Sequence, residues 1–295
     1  MKAFVTGVAG QLGHDVMNEL RRRGHQAVGS DLKIENGVSL DITNRNAVMR
    51  TLGDLKPDVV IHCAAWTAVD LAEDEDKKDL VFKINRDGTQ NIADACKAIN
   101  CKIIYISTDY VFDGQGTEPW KPDCKDYKPL NVYGESKLAG EFAVANTMQK
   151  YFIVRIAWVF GLNGNNFIKT MLKLAQKYDT LRVVNDQIGT PTYTYDLARL
   201  LVDMAETENY GYYHATNEGG YISWYDFAIE IFRQSGLSTK VIPVTTAEYG
   251  QSKARRPFNS RLDKRKLTDS GFMPLPSWQD ALKRYLASLS YKAEQ

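Results

Sequence analysis

Apolar positions along the first half of this chain follow two alternating rhythms. Short, almost uninterrupted runs occur at "KAFVT" (2–6), "DVVIHCAA" (58–65), "KIIYIS" (102–107) and "YFIVRIAWVF" (151–160). They are rich in β-branched and aromatic residues, as expected of strands covered on both faces. Between them the spacing turns helical. Leu12, Val16, Met17 and Leu20 share one face of a helix predicted over 11–23, which Gly24 closes. "HQAVGS" (25–30) and "VSL" (38–40) add two shorter strands, ending at Asp31 and Asp41. Further helices are predicted over 44–53, with Thr43 as cap, over 76–99, and from "LNVYGESKLAGE" (130–141) to about 149. A loop rich in Gly, Pro and Asp spans 109–130.

Strand and helix alternating in this way demand a parallel sheet with helices on both faces. Right-handed crossovers then lead to an α/β, doubly wound parallel sheet of Rossmann type. After residue 160 the pattern is mixed, with helices expected at 165–177, 194–207, 223–235 and 277–290 and strands at 181–184, 211–214 and 240–244. The expected division is a dinucleotide-binding domain, 1–160 plus about 178–213. A smaller interleaved α/β substrate-binding lobe takes about 161–177 plus 214–295.

Composition narrows the function classes. Net charge is +1, against a general nucleic-acid or membrane surface. No apolar run has the length of a membrane span. A strand starts almost at the first residue and leaves no room for a signal peptide, so a cytoplasmic protein is expected. Cys63, Cys96, Cys101 and Cys124 contain no C-x-x-C pair and are expected to be reduced. The four histidines are not spaced as metal ligands, and no metal site is predicted.

"VTGVAGQLG" (5–13) puts Gly7, Gly10 and Gly13 between the first strand and first helix. Glycines there let the backbone approach a pyrophosphate, which the helix N-terminus attracts. The spacing is G-x-x-G-x-x-G, a departure from the dinucleotide fingerprint, so its position in the alternating pattern carries the reading. Asp31 can accept from the adenosine ribose hydroxyls and repel a 2′-phosphate, which tilts the cofactor toward NADH. Lys33 softens that discrimination, and use of both NADH and NADPH is expected. Asp41 either touches the adenine side or caps a turn.

Two tyrosines have a lysine four residues on, Tyr133 with Lys137 and Tyr249 with Lys253. Only the first pair opens a helix at the carboxyl ends of the predicted parallel strands, where such sheets bind ligands. Residues four apart lie one above the other on a helix, so the lysine charge can favour the phenolate and lower its pKa. Such a phenol can donate a proton to a ketone oxygen as hydride reaches its carbon. "STDYVF" (107–112) lets Ser107 or Thr108 offer a hydroxyl to the same oxygen.

With the glycine turn, the strand-end Ser/Thr and Y-x-x-x-K, the chain resembles the extended short-chain dehydrogenase/reductase family. Within that family it is most similar to reductases of 4-keto-6-deoxysugar nucleotides. The similarity lies in "GQLG" (10–13), "KPDVVIHCAAWTAVDLAE" (56–73), "STDYVFDG" (107–114), "PLNVYGESKLAGE" (129–141), "RIAWVFG" (155–161), "GNNFIKTMLKLA" (164–175), "NDQIGTPT" (185–192) and "RRPFNSRLD" (255–263). It implies reduction of dTDP-4-dehydro-6-deoxy-L-mannose (dTDP-4-dehydrorhamnose) by NADPH or NADH to dTDP-L-rhamnose, for cell-surface polysaccharide. Thr108, Tyr133 and Lys137 inherit the catalytic roles. Gln11, Leu12, Ile42, Ala64, Ala65 and Thr67 join the glycines, Asp31 and Asp41 around the cofactor. Thr67, Val69, Tyr110, Trp158, Asn165 or Asn166, and Arg256 line the sugar-nucleotide site, with Arg256 toward the diphosphate. A homodimer is compatible with the family. The magnesium-linked form is not expected, because Asp15 has no carboxylate partner in "GTPTYT".

Other members of the superfamily remain alternatives. A 4,6-dehydratase needs an Asp-Glu pair after the catalytic Thr, and here Asp109 is followed by Tyr110. A 4-epimerase acting on another deoxysugar nucleotide is a closer rival. A non-catalytic NAD(P)-binding subunit, like the regulatory subunit of methionine adenosyltransferase, would bind cofactor without turning it over.

Overall fold

The computed structural model describes residues 1–250 and 252–293. Gln251 and residues 294–295, which fall in the expected second lobe, lie outside the described residues. The chain runs β1 (Lys2–Thr6), α1 (Gln11–Arg22), β2 (Gln26–Asp31), β3 (Val38–Ser39), α2 (Arg45–Leu55) and β4 (Val59–His62). It continues through α3 (Lys78–Phe82), a wide π-type turn (Lys83–Gly88), α4 (Thr89–Ala98), β5 (Lys102–Thr108), α5 (Val132–Thr147) and β6 (Tyr151–Ile156). These strands and one later strand build a seven-stranded sheet with its β3-β2-β1-β4-β5-β6 order extended by β11 (Gly211–His214). Every pairing in it is parallel. The crevice between β1 and β4, where the order reverses, is where such sheets place ligands.

Two apolar layers sandwich the sheet. Val16, Leu20, Val5, Ile61, Ile104, Val154 and Leu201 pack on one side, Phe4, Val48, Leu52, Ile92, Ile103 and Val144 on the other. Each fully buried aliphatic side chain contributes about 1.5–3 kcal/mol.

Beyond β6 come β7 (Val159–Phe160), α6 (Phe167–Ala175), β8 (Thr180–Val184), β9 (Ile188–Gly189), β10 (Thr192–Tyr193) and α7 (Thr194–Ala205). After β11 follow β12 (Ile222–Ser223), α8 (Trp224–Ser235), β13 (Lys240–Val244), α9 (Thr246–Tyr249), α10 (Arg265–Asp269) and α11 (Trp278–Ala293). A separate core joins Phe160, Ile168, Met171, Val183, Phe227, Ile231, Leu282 and Tyr285.

The interleaving differs from the expected boundaries at two points. β8 pairs with β13, not with the large sheet, so the segment around 180–184 belongs with the second core. Leu267, Phe272 and Leu275 return to the first core, although the expected lobe claimed 214–295 throughout.

Three local expectations also shift. The run 151–160 is not one strand: Trp158 takes φ +50°, ends the ladder, and lets β7 restart against β10. β4 stops at His62 because its partner β1 ends at Thr6, and the Thr6 hydroxyl takes over as acceptor for Ala64 N–H at 3.1 Å. The cap of α2 is Asn44, whose side chain accepts from Ala47 N–H at 3.1 Å, while Thr43 N–H is held by Asp41 at 2.9 Å. Asp41 thus caps the turn through Oδ1 and stays exposed.

Behind β5, Glu141 of α5 and Arg155 of β6 form an ion pair at 2.7 Å with no exposed surface. Arg155 also donates to Pro122 O and Tyr127 OH, and Ser107 donates to Glu141 at 2.6 Å. Buried charges are tolerated only when their remaining hydrogen-bonding capacity is met in this way.

Candidate active site

The glycine turn is shaped by close contacts. Gly7 has φ +72°, and a Cβ there would lie 2.7 Å from Ala64 N. A Cβ on Gly13 would lie 2.3 Å from Gly7 O, so α1 packs directly onto the turn it follows. α1 starts at Gly10 with no side-chain cap. The N–H groups of its first turn, including Gln11 and Leu12, therefore suit a pyrophosphate. Asp31 stands at the end of β2, where Oδ2 accepts from Ala9 N–H at 2.9 Å and Oδ1 from Leu32 N–H at 2.8 Å. One acceptor position per oxygen is thus engaged by backbone N–H groups, which leaves each oxygen capacity for a further donor. Asp15, in contrast, is buried on α1 and accepts from Thr194 Oγ1 at 2.5 Å.

α5 brings Tyr133 and Lys137 to the ends of β4 and β5. Its cap Asn131 accepts from Gly134 N–H at 2.8 Å, and Glu73 accepts from Val132 N–H at 2.8 Å. Asn85, on the wide π-type turn, grips Trp66 by N–H and C=O and donates to Ser136 at 2.9 Å. The 64–67 segment and the start of α5 are thereby held together, beside Ala64, Ala65 and Thr67. Ile42 is buried against the same turn, 2.7 Å from where a Gly88 Cβ would be.

Ser107 and Thr108 have different partners. The Ser107 hydroxyl is spent on Glu141. Thr108, 5% exposed, donates to Asp109 at 3.0 Å and lies close enough to Tyr133 to act on its phenol. Tyr110 packs edge-on to the Tyr133 ring at 5.6 Å. The electrostatics depart from expectation. Burial pushes the Tyr133 phenol up, with Asp109 adding to the rise and Thr108 opposing it. Burial pulls Lys137 down to about 7, against Glu141 and Cys63, with Nζ 4.1 Å from the Tyr105 ring centre. In the protein by itself the lysine does not lower the tyrosine. Its dry setting costs it its own charge first.

The decoy pair separates. Tyr249 is exposed on the short α9, and Lys253 bridges to Asp74 at 2.6 Å.

Over residues 1–291 the chain matches the family described as the RmlD substrate binding domain. The chain belongs to that family. Among relatives, it is similar to the spore coat polysaccharide biosynthesis protein SpsK of Bacillus subtilis (strain 168), at 40% identity over 98% of each chain. Among solved structures, it is similar to a dTDP-4-dehydrorhamnose reductase of Clostridium acetobutylicum ATCC 824. That comparison gives a TM-score of 0.92, 43% identity, and coverage of 98% of this chain and 100% of that one. It is also similar to dTDP-4-dehydrorhamnose reductase of Bacillus anthracis str. Ames in complex with NADP. There the TM-score is 0.90 at 39% identity, covering 97% of this chain and 99% of that one.

In this RmlD-family chain the expected substrate-side residues fall into two groups. Thr67 is exposed and Val69 half-buried on the loop after β4, and Trp158 stacks on Trp224 with ring centres 3.7 Å apart. Asn166, however, is committed to structure. Its side chain caps α6, accepting from Lys169 N–H, and donates to Gln11, Gly161 O and Tyr285 OH. That leaves Asn165 as the exposed member of the pair. Arg256 forms a two-pronged pair with Asp70, Nη2 at 2.8 Å and Nη1 at 3.2 Å.

Three residues escaped the sequence reading: Trp224, Asp70 and Asp109. Trp224 lies in an ordinary amphipathic helix pattern. Asp70 sits in the quoted "TAVDLAE" with nothing to announce its partner. Asp109 carries one signal, an acid directly after Thr108 at the end of β5.

Proposed function

We propose that this protein reduces the 4-keto group of dTDP-4-dehydro-6-deoxy-L-mannose with NAD(P)H to give dTDP-L-rhamnose, a precursor for cell-surface polysaccharide. The observation that carries the reading is the convergence of Thr108, Tyr133 and Lys137 at the mouth of the parallel sheet. The uncapped glycine turn lies across that mouth. When bound, NAD(P)H supplies the hydride. Tyr133 gives its proton to the ketone oxygen, so that carbonyl, hydride and proton balance to an alcohol. Lys137 holds the phenolate that remains, once a neighbouring negative charge restores its own proton. Arg256 turns from Asp70 to the substrate diphosphate, a fork suited to such a group. Both NADPH and NADH serve, since Asp31 is partly engaged by the turn. No helix among the described residues is long and apolar enough to cross a membrane.

The test is turnover of the purified protein with dTDP-4-dehydro-6-deoxy-L-mannose and each cofactor, with the product identified. Stoichiometric oxidation of NADPH or NADH with formation of dTDP-L-rhamnose is expected. Cofactor binding without oxidation would instead identify a non-catalytic subunit, and inversion at C4 without net reduction an epimerase.

A further inference from the structure

Asp109 sits immediately behind Thr108 and has no part in the reaction as derived above. Its side chain is 2% exposed. Oδ1 accepts the Thr108 proton at 3.0 Å, and Oδ2 is buried, with the Ser260 hydroxyl near the carboxyl but no hydrogen bond of good geometry to Oδ2 among the described residues. Leaving a buried carboxylate oxygen unsatisfied is unfavourable, and protonating the carboxyl relieves that cost. The titratable neighbours are Tyr110 on the same turn and Tyr133 from α5, while Ser260 brings a hydroxyl from the loop that carries Arg256. Arg256 and Asp70 stand beyond Tyr110 and act on that ring.

Thr108 has one proton to give. While Asp109 is a carboxylate it accepts that proton, and Thr108 Oγ1 itself accepts from Tyr110 N–H at 3.3 Å. A protonated Asp109 would donate to Thr108 Oγ1 and leave the threonine proton free to turn into the cleft. We propose that Asp109 is a positioning residue that sets the direction of the Thr108 hydroxyl. As an acid it releases the Thr108 hydrogen bond to the substrate ketone oxygen, and as a carboxylate it withholds it. Burial pushes Asp109 up to about 6, with Ser260 and Thr108 pulling it back, which places the change within reach of ordinary assay conditions. The inference rests on the reductase reading.

The experiment compares kcat/KM at about pH 6 and about pH 8 for the wild type, Asp109→Asn and Thr108→Val. One donor to a developing oxyanion is worth on the order of a hundredfold, so a wild-type ratio of about tenfold or more is expected. Lys137, drawn down to about 7, titrates over the same range in all three proteins, so the readout is the part of the ratio lost relative to wild type. Asp109→Asn offers Thr108 an N–H at every pH and should lower the ratio severalfold, and Thr108→Val should lower it as far, on a much lower rate. The full wild-type ratio in either variant overturns the proposal. A second readout needs no turnover: the infrared spectrum of the wild type minus Asp109→Asn. It should show a protonated carboxyl band that appears as the pH falls through about 6, and its absence overturns the proposal. Failure of the wild type to oxidise cofactor with the sugar nucleotide overturns the reductase reading instead.

Discussion

The Arg256 guanidinium and the Asp70 carboxylate close a fork between the loop after β4 and the loop before α10. Ser252 and Ala254 N–H add to the same carboxylate, and Lys253 with Asp74 makes a second bridge alongside. In the proposed reading a diphosphate competes with Asp70 for Arg256, and the pair sets how much of the arginine's affinity substrate can use.

Removing the competitor should therefore tighten substrate binding. Asp70→Asn is expected to lower the KM for the dTDP-sugar severalfold, and Arg256→Ala to raise it by about 10–100-fold, the value of a lost charged hydrogen bond. Steady-state kinetics at fixed cofactor check both. An unchanged KM in the two variants would remove Arg256 from the substrate site.

Tyr133→Phe keeps the ring against Tyr110 and deletes the proton. The reduction rate should fall by about 10²–10⁴-fold while cofactor affinity stays near wild type. Single-turnover rates with titrated NADPH binding distinguish the two effects.

Tyr249→Phe is the control at the other Tyr–Lys spacing. Tyr249 is exposed and Lys253 is engaged by Asp74, so the rate should match wild type within about twofold. A large loss would mean that the proton donor has been misassigned.

Lys137 trades stability for chemistry. Its folded value is lowered from 10.5 to about 7 by burial, so between those limits the unfolded chain holds a proton that the folded chain gives up. Stability therefore falls as pH drops from about 10 to about 7 and levels off below. Lys137→Met should remove that slope, gain on the order of 2 kcal/mol at neutral pH, and lose activity. Urea unfolding across the pH range reads the first two effects.

Asp31→Ala should shift cofactor preference toward NADPH, by about tenfold at most because the carboxylate is also tied to the turn. The ratio of kcat/KM values for the two cofactors measures it.

How far the chain could be read ahead of its structure depended on whether a feature is local. The parallel sheet was legible because buried strands and amphipathic helices announce themselves by period. The glycine turn and the Tyr133–Lys137 pair were legible because both sit at fixed offsets from those elements. What was not legible arises between distant segments. The pairing of β8 with β13 spans sixty residues. The engagement of Ser107 depends on Glu141, and the role of Asn166 depends on Gln11 and Tyr285. Trp158 in a left-handed conformation has no signature in a run that otherwise spells strand.

The Glu141–Arg155 pair has a consequence for how the enzyme fails. It crosslinks the helix that bears Tyr133 and Lys137 to β6, and through Ser107 to the strand that bears Thr108. Tyr133, Lys137 and Thr108 thus rest on one cooperative block, and separating its parts strands two ions in an apolar interior. On heating, the protein should lose its chemistry abruptly, together with its global fold, instead of fading as a frayed site would.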